Sequence, residues 1–185
     1  MSVKINSFKK LNRAVFLDRD GVINSANVIN QKPYAPIKFK NLKILPGVKK
    51  AMKELQKSNL LTIVVTNQPD VARGKAKLRD IELINKYLKK QLPINAFYTC
   101  YHDTIDYCDC RKPSPGFFFK AKKAYKIDLK KSFMIGDRWS DIEAGRRAGC
   151  KTIFIYYGYA EKQPRKYNYK VKSLPDAVKI ILKKQ

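Results

Sequence analysis

The stretch RAVFLDRDGVIN, residues 13–24, joins a short apolar run to a polar turn. Its first apolar run, Ala14–Leu17, is followed at once by the polar turn sequence Asp-Arg-Asp-Gly at 18–21. A short apolar run that ends abruptly in turn-forming residues is typical of a buried strand, whereas an amphipathic helix needs a longer periodic pattern. The stretch therefore predicts a core strand with two carboxylates just beyond its end, although Asp-Gly alone is also an ordinary turn.

Similar apolar runs recur along the chain and alternate with helical patterns. Strands are predicted at 14–17, 60–65, 96–100, 132–135 and 151–156. Apolar residues at helical spacing predict helices at 46–58, 77–90, 115–125, 141–148 and 175–184, and Pro46 stands at the start of the first. Alternating strands and helices predict an α/β fold with a mostly parallel sheet and helices on both faces. The length of 185 residues favours a single domain over residues 1–185.

In such a sheet the ligand site lies beyond the carboxyl ends of the strands. The polar residues that follow the predicted strands are Asp18, Asp20, Thr66, Asn67, Arg111, Lys112, Asp137 and Arg138, with Asp141 four residues after Asp137. Each piece alone has an ordinary interpretation as a turn or a cap. Their joint placement predicts one crevice that contains the carboxylates of Asp18, Asp20 and Asp137, a hydroxyl and a lysine.

These groups together can transfer a phosphoryl group. Carboxylates at 18, 20 and 137 offer the oxygen ligands that Mg²⁺ prefers. One carboxylate can attack phosphorus and form an aspartyl-phosphate, while a neighbouring one protonates the leaving oxygen and later activates water. Thr66 would contact the phosphoryl oxygens, and the charge of Lys112 would offset the negative charge that develops. The sequence therefore predicts Mg²⁺-dependent phosphoryl chemistry.

The segment CYHDTIDYCDC, residues 100–110, holds three of the four cysteines and the only histidine. Cys100, His102, Cys108 and Cys110 form a complete tetrahedral ligand set, which predicts a closed, structural zinc site. The alternatives are a redox pair, which lacks the usual Cys-x-x-Cys spacing, and free cysteines. The fourth cysteine, Cys150, is predicted to pack in the core.

The net charge of +25 has three interpretations. Lysines make up 31 of the 40 basic residues and are spread along the whole chain, which favours a solvated surface. A field that attracts small anionic substrates is the second interpretation, and nucleic-acid binding, which lacks a basic segment with interleaved aromatics, is the third. No apolar run is long enough to cross a bilayer, and residues 1–16 do not resemble a signal peptide. A cytoplasmic protein without a membrane partner is expected.

Four motifs together carry a family resemblance. They are FLDRDGVIN (16–24), VVTNQPDVARGK (64–75), CRKPSPG (110–116) and IGDRWSDIEAGRRAG (135–149). As an ordered set they resemble the haloacid dehalogenase-like (HAD) phosphohydrolase superfamily, and more narrowly its branch of D-glycero-D-manno-heptose 1,7-bisphosphate 7-phosphatases and histidinol phosphatases. The match runs from residue 13 to about residue 158. It implies a Rossmann-like three-layer fold without a large cap domain, with a zinc-binding loop beside the active site.

The resemblance also implies a role for each matching residue. Asp18 is the nucleophile and a Mg²⁺ ligand, Asp20 is the general acid/base and binds Mg²⁺ through its carbonyl, and Asp137 is the remaining Mg²⁺ ligand. Thr66 and Lys112 stabilise the phosphoryl group. The implied substrate-binding residues are Asn67, Arg111 and Arg138, and the implied zinc ligands are Cys100, His102, Cys108 and Cys110.

The implied activity is removal of the 7-phosphate from a heptose bisphosphate, on the way to nucleotide-activated heptose for surface polysaccharide. Separately, a monomer is expected. Histidinol-phosphate phosphatase and other sugar-phosphate phosphatases remain alternatives, because SANVINQKPYAPIKFK (25–40) and TNQPDVARG (66–74) depart from the heptose-phosphatase pattern. Outside this class, a nucleic-acid 3′-phosphatase would use a similar aspartate pair. A non-catalytic zinc-stabilised binding module would not need the aspartates at all.

Three further side chains have two interpretations each. Trp139 either lines the mouth of the pocket or packs against its neighbours. Arg73 and Lys75 either bind a second phosphate of the substrate or form an exposed pair of charges.

Overall fold

The structure, a computed structural model, describes residues 11–184. Most of the amino-terminal stretch that does not resemble a signal peptide lies outside these residues. The strands are β1 (Ala14–Leu17), β2 (Asn27–Ile29), β3 (Lys32–Tyr34), β4 (Leu61–Asn67), β5 (Ala96–Cys100), β6 (Phe133–Gly136), β7 (Lys151–Ile155) and β8 (Tyr169–Val171). The helices are α1 (Val48–Lys57), α2 (Leu78–Gln91), α3 (Gly116–Tyr125), α4 (Trp139–Ala148) and α5 (Leu174–Lys183).

Six strands form one sheet in the order β5-β4-β1-β6-β7-β8, and every pairing in it is parallel. The four residues of β1 are all buried, because β1 lies in the interior of the sheet with helices on both faces. This arrangement confirms the predicted mostly parallel α/β sheet. It also explains why β1 is a continuous apolar run rather than an alternating one.

Alternate residues of β1 serve the two faces of the sheet. Val15 and Leu17 belong to a core cluster with side chains from α1, α2 and α5, whereas Ala14 and Phe16 belong to a second cluster with α3 and α4. On the second face the rings of Phe16 and Phe118 lie 4.6 Å apart. The side-chain period of two along a strand therefore produces the predicted three-layer sandwich.

Local signals start several of these elements. Ser173 caps α5 by accepting a hydrogen bond from the Asp176 N–H, and Pro175 occupies the first turn, where its missing N–H is not needed. α1 follows Gly47, whose φ of +75° favours glycine. Predicted and observed element boundaries consequently agree to within about two residues in these regions.

Three features of the structure differ from the prediction. The hairpin of β2 and β3 consists of three-residue strands, mostly exposed, with a proline inside β3, so it has no apolar run to reveal it. β8 is an equally short edge strand. Ser132, predicted to begin a strand, instead ends a 3₁₀ turn, and its hydroxyl accepts a hydrogen bond from the Ala14 N–H.

The chain order places the functional site. From β1 the chain builds outward through β4 to β5, and then crosses to β6 and builds outward on the other side. The carboxyl end of β1 therefore lies at the switch point of the sheet, where parallel α/β folds bind their ligands. Between β1 and β4 lie only the hairpin, a 3₁₀ turn at Phe39–Asn41 and α1, so no large cap domain is inserted there. No helix between residues 11 and 184 has the length and apolar character to cross a membrane.

Candidate active site

Three carboxylates meet at the carboxyl ends of the central strands. Asp18, Asp137 and Asp141 are buried, and each offers an oxygen within 4.8 Å of the others. Asp18 directly follows β1, Asp137 directly follows β6, and Asp141 lies in the first turn of α4. The sequence predicted that Asp18 and Asp137 would meet. Asp141 was noted for its spacing from Asp137, but no role was assigned to it.

Lys112 reaches into this cluster from the loop after β5. Its Nζ lies 2.6 Å from Asp18 Oδ1 and 2.6 Å from Asp141 Oδ1, and it donates to the carbonyl oxygen of Val65 at 2.6 Å. Burial alone would lower the pKa of Lys112, but the carboxylates of Asp141 and Asp18 outweigh burial and raise it. The buried side chain is therefore a charged ammonium that links two of the three carboxylates.

The cluster has an excess of negative charge that a divalent cation matches. Three carboxylates and one ammonium leave two negative charges when all are ionised. Burial is the main reason that the pKa of Asp18 rises to about 6, and burial with the charge of Asp141 raises that of Asp137 well above its usual value. Both Asp137 oxygens are buried and lack a hydrogen-bond partner among the described residues. A hard cation such as Mg²⁺ would supply that missing partner, so the donor set fits the predicted metal.

Two glycines allow the carboxylates to come so close. Gly21 has a φ of +87°, and a Cβ at that position would lie 2.0 Å from Asp137 Oδ2. A Cβ on Gly136 would lie 2.2 Å from the Cβ of Asp141. The glycine of the DRDG turn is therefore required by its backbone conformation and by the approach of Asp137.

Asp20 lies beside this cluster but is held by other partners. Its carboxylate accepts two hydrogen bonds from Arg19, at 3.1 and 3.0 Å, one from Asn24 at 2.8 Å and one from Gln68 at 2.7 Å. Gln68 Nε2 also lies 2.9 Å from Thr66 Oγ1, so it links the predicted acid/base residue to the predicted phosphoryl-binding hydroxyl. The structure thus does not place the Asp20 carboxylate in the three-carboxylate group.

Sequence reasoning missed the residues that support Asp20. Arg19 is completely buried, and its second partner is the side-chain oxygen of Asn85 on α2, at 2.9 Å. An arginine between two functional aspartates was the available signal, because a cation next to a buried strand needs an anionic partner. Asn85 had no such signal, since an amide in a helical pattern is unremarkable in sequence.

Asn67 fixes the backbone of the lysine. Its Nδ2 donates to the carbonyl oxygen of Lys112 at 3.0 Å, and its Oδ1 accepts from the N–H of Lys112 at 3.1 Å. Both ends of the amide are therefore engaged within the protein. The expected substrate contact of Asn67 is accompanied by a direct role in positioning Lys112.

An open cleft of about 480 Å³ adjoins Lys112. Asn67, Arg111, Arg138 and Trp139 are among the residues that line it. The guanidinium of Arg138 already has a protein partner, because it donates to both carboxylate oxygens of Glu161 at 2.9 and 2.6 Å. Arg111 donates to the carbonyl oxygen of His102 at 3.2 Å. The three predicted substrate-binding residues therefore share one cleft next to the buried lysine.

The four predicted zinc ligands converge. The distances between Sγ atoms are 3.3 Å for Cys100–Cys110 and Cys108–Cys110 and 3.7 Å for Cys100–Cys108, and His102 Nδ1 lies 3.3 Å from Cys110 Sγ. A tetrahedral zinc site with its usual bond lengths has sulfur atoms about 3.8 Å apart. None of the four cysteines forms a disulfide. The cluster therefore has the composition and nearly the dimensions of a zinc site.

The structure also places the four other residues discussed from the sequence, which are Arg73, Lys75, Trp139 and Cys150. Arg73 donates to both oxygens of Asp103, at 2.7 and 2.6 Å, so its guanidinium is bound to the zinc loop. Lys75 is exposed. Trp139 is partly buried and lines the active-site cleft. Cys150 is buried in the core cluster beside α3 and α4, which confirms the packing prediction.

The sequence of this chain is similar to those of known phosphatases. A family model described as HAD-hydrolase-like matches residues 109–179. The D-glycero-beta-D-manno-heptose-1,7-bisphosphate 7-phosphatase of Helicobacter pylori is 32% identical over 163 residues, which cover 84% of this chain and 90% of that protein. The D-glycero-alpha-D-manno-heptose-1,7-bisphosphate 7-phosphatase of Campylobacter jejuni is 34% identical over 148 residues, which cover 77% and 81%.

A solved structure extends the similarity to the fold. It is the D,D-heptose 1,7-bisphosphate phosphatase from B. bronchiseptica, complexed with magnesium and phosphate. It has a TM-score of 0.76 and 24% identity, and the match covers 94% of this chain and 99% of that one. The names of the two sequence relatives differ in the sugar anomer, beta in the first and alpha in the second.

Proposed function

Because this chain belongs to the HAD-like hydrolases, and within them to the family of D-glycero-D-manno-heptose-1,7-bisphosphate 7-phosphatases, we propose that it removes the 7-phosphate from such a heptose bisphosphate with Mg²⁺ as its cofactor. The observation that carries the proposal is the buried group of Asp18, Asp137 and Asp141 around Lys112. Its excess negative charge, its unpartnered carboxylate and its position at the switch point all suit metal-assisted phosphoryl transfer.

Asp18 is the proposed nucleophile. Lys112 holds Asp18 Oδ1 at 2.6 Å, so Oδ2 is the oxygen that we assign to the attack on phosphorus. The attack forms an aspartyl-phosphate and expels the sugar oxygen. Lys112 keeps its positive charge next to that carboxylate and offsets the charge that develops on the phosphoryl group.

Asp20 is the proposed general acid and base. It protonates the leaving sugar oxygen, and in the second step it takes a proton from the water that hydrolyses the aspartyl-phosphate. Gln68 contacts both Asp20 and Thr66, which supports a role for Thr66 as a donor to the phosphoryl oxygens beside the acid. Arg19 and Asn24 hold Asp20 near the nucleophile, and Asp20 must give up part of this network to reach the substrate.

The proposed Mg²⁺ ligands are the side chains of Asp18 and Asp137 and the carbonyl of Asp20. One oxygen of Asp141 contacts Lys112 and the other accepts from the N–H of Arg138, so Asp141 positions both the lysine and the start of α4 and adds its charge to the site. Asp137 has no competing partner among the described residues, which supports its role as a direct ligand. When bound, Mg²⁺ neutralises the phosphate dianion so that an anionic carboxylate can approach it.

The proposal assigns the cleft beside Lys112 to the sugar, with Asn67, Arg111 and Arg138 as substrate-binding residues. It assigns zinc to Cys100, His102, Cys108 and Cys110, where a closed ligand set would be structural. Two hydrogen-bond links support this loop as the bracket of the site, since Arg111 contacts His102 and Asn67 contacts Lys112.

Three further points belong to the proposal. One domain over residues 1–185 suits a site built from a single sheet. A monomer is sufficient, because all the proposed site residues come from one chain. A cytoplasmic location suits four cysteines that form no disulfide, since an oxidising compartment would tend to pair them.

A phosphate-release assay tests the function. Both anomers of D-glycero-D-manno-heptose 1,7-bisphosphate, histidinol phosphate and a panel of sugar monophosphates are compared by kcat/KM in the presence of Mg²⁺. We expect one heptose bisphosphate anomer to exceed every other substrate by at least about tenfold. Asp18→Asn should abolish turnover on all of them while the fold is retained. Preference for histidinol phosphate, or near wild-type turnover by Asp18→Asn, would overturn the substrate or the nucleophile assignment respectively.

A further inference from the structure

A second cleft adjoins the active site through a shared side chain. Trp139 lines the active-site cleft and also this second cleft of about 420 Å³, which lies between α4 and the segment 162–166. Five of its lining residues are cations and one is an acid: Arg146, Arg147, Lys162, Arg165, Lys166 and Glu143. Nothing in the proposed hydrolysis uses these residues.

The positive charge of this cleft is only partly neutralised. Glu143 pairs with both Arg146, at 2.9 Å, and Arg147, at 2.8 Å, so one carboxylate serves two guanidinium groups. Lys162, Arg165 and Lys166 are exposed and form no ion pair with any residue between 11 and 184. Five cations and one carboxylate leave four positive charges around the cleft.

The arginines distinguish this cleft from the rest of the basic surface. The chain has 31 lysines but only nine arginines, and three of the nine line this one cleft. A lysine-rich surface is the ordinary consequence of composition, but clustered arginines are not. The guanidinium group presents a planar set of N–H donors that matches two phosphate oxygens at once, which a lysine cannot do.

Trp139 adds an aromatic wall. The Nζ of Lys162 lies 4.0 Å from the centre of its indole ring, in a cation–π contact. A planar base could displace this lysine and stack on the indole, as bases do on exposed aromatic side chains. The volume of the cleft suits a small molecule rather than a long polymer.

We propose that this cleft binds a small anion with two or more linked phosphates, as in a nucleoside di- or triphosphate or an inorganic polyphosphate. Arg146, Arg147 and Arg165 would contact the phosphates, with Lys162 and Lys166 at the edge. This site is separate from the catalytic carboxylates and does not depend on the identity of the sugar substrate. Because α4 carries Asp141 at one end and Arg146 and Arg147 at the other, the two sites share one helix.

The chain offers a direct optical probe, since Trp139 is its only tryptophan. Fluorescence of Trp139 and isothermal titration calorimetry are recorded with tripolyphosphate, ATP and inorganic phosphate, at about 0.15 M salt. The Asp18→Asn variant is the starting protein, so that no ligand is hydrolysed. Calorimetry ensures that a binding event without an optical change is still detected.

The cleft variant is Arg165→Gln/Lys166→Gln, which removes two cations from the second cleft. Both residues are exposed and lie outside the catalytic cluster. The matched control is Lys122→Gln/Lys123→Gln, an exposed adjacent pair on α3 that also loses two charges. We expect the cleft variant to raise the Kd for tripolyphosphate at least about tenfold, and the control to change it less than about twofold. Phosphatase activity should be unchanged by both substitutions in the otherwise wild-type enzyme.

The ligand series separates the sources of the phosphates. Tighter binding of ATP than of tripolyphosphate identifies a nucleotide site, and equal binding identifies an inorganic polyphosphate site. An equal loss of tripolyphosphate affinity in the cleft and control variants would show that only the general surface charge attracts the ligand, and it would overturn the proposal. Binding of a DNA oligomer without binding of tripolyphosphate or ATP would also overturn it, in favour of a nucleic-acid surface.

Discussion

Substitution of Gly21 by alanine tests how closely the active site depends on backbone packing. At this position φ is +87°, and the new Cβ would lie 2.0 Å from Asp137 Oδ2 and 2.5 Å from its Cγ. The left-handed conformation alone costs an L-residue on the order of 1–2 kcal/mol. The carboxylate would also have to retreat by about 1 Å, and a displacement of that size at a catalytic group costs on the order of 100-fold in rate.

Gly149 provides the matched control. Its φ is +85°, nearly the same as that of Gly21, but nothing lies within 4 Å of the Cβ that alanine would add. Gly149→Ala and Gly21→Ala should therefore pay a similar conformational cost in denaturant unfolding. Only Gly21→Ala should displace Asp137.

The assay is phosphate release as a function of Mg²⁺ concentration. We expect Gly21→Ala to lower kcat/KM by about 100-fold and to require more Mg²⁺ for half-maximal rate, because Asp137 is a proposed direct ligand. Gly149→Ala should keep its Mg²⁺ dependence and nearly all its activity. If the two variants have equal activity and equal Mg²⁺ dependence, the argument that Gly21 shapes the metal site is refuted.

Three other substitutions probe the supports of the site. Asn67→Ala removes both side-chain hydrogen bonds to the Lys112 backbone, which should cost on the order of 1–3 kcal/mol in denaturant unfolding and lower kcat in steady-state kinetics. Arg73→Gln removes the paired hydrogen bonds to Asp103 and should speed the release of zinc to a chelator several-fold, with little change in global unfolding because the pair is exposed. Cys108→Ser should lower the zinc content from about one ion per chain, as measured by elemental analysis, and reduce stability and activity together.

Unchanged kcat in Asn67→Ala would remove the link between this amide and Lys112. For Arg73→Gln the control is the exposed Arg79→Gln, and equal zinc release from both would show that Asp103 does not hold the loop. A fully active Cys108→Ser enzyme would separate the cysteine cluster from catalysis.

Much of the fold could be predicted because its signals are local. The buried run of β1, the helical spacing of α2 and the proline at the start of α5 all lie within a few neighbouring residues, where periodicity and capping decide conformation. The hairpin of β2 and β3 escaped prediction because its strands are short and mostly exposed. Such strands are stabilised by pairing with each other and by hydrogen bonds from neighbouring loops. One example is the hydrogen bond from the Ala160 N–H to the Gln31 carbonyl oxygen in the turn between them.

The supports of the site were less predictable, because their partners are distant in sequence. Lys112 and Asp18 are 94 residues apart, and the hydrogen bond between Arg19 and Asn85 spans 66 residues. Sequence reasoning placed Lys112 in the crevice through its motif, but it had no basis for choosing Asp141 as its second partner. Asn85 had no motif and was found only from its contact with the buried arginine.

Patterns among neighbouring residues show that short apolar runs end in aspartates, a threonine and a lysine-bearing loop, and that four metal-ligand side chains cluster between residues 100 and 110. These are properties of neighbouring residues, and they were sufficient for the fold class and the family. Contacts between distant elements leave Asp137 without a hydrogen-bond partner among the described residues, require glycine at position 21 to admit Asp137, and bring three of nine arginines to one cleft beside Trp139. Those outcomes depend on the order of strands in the sheet and on distances between elements, which are set by packing of the whole chain rather than by any local pattern.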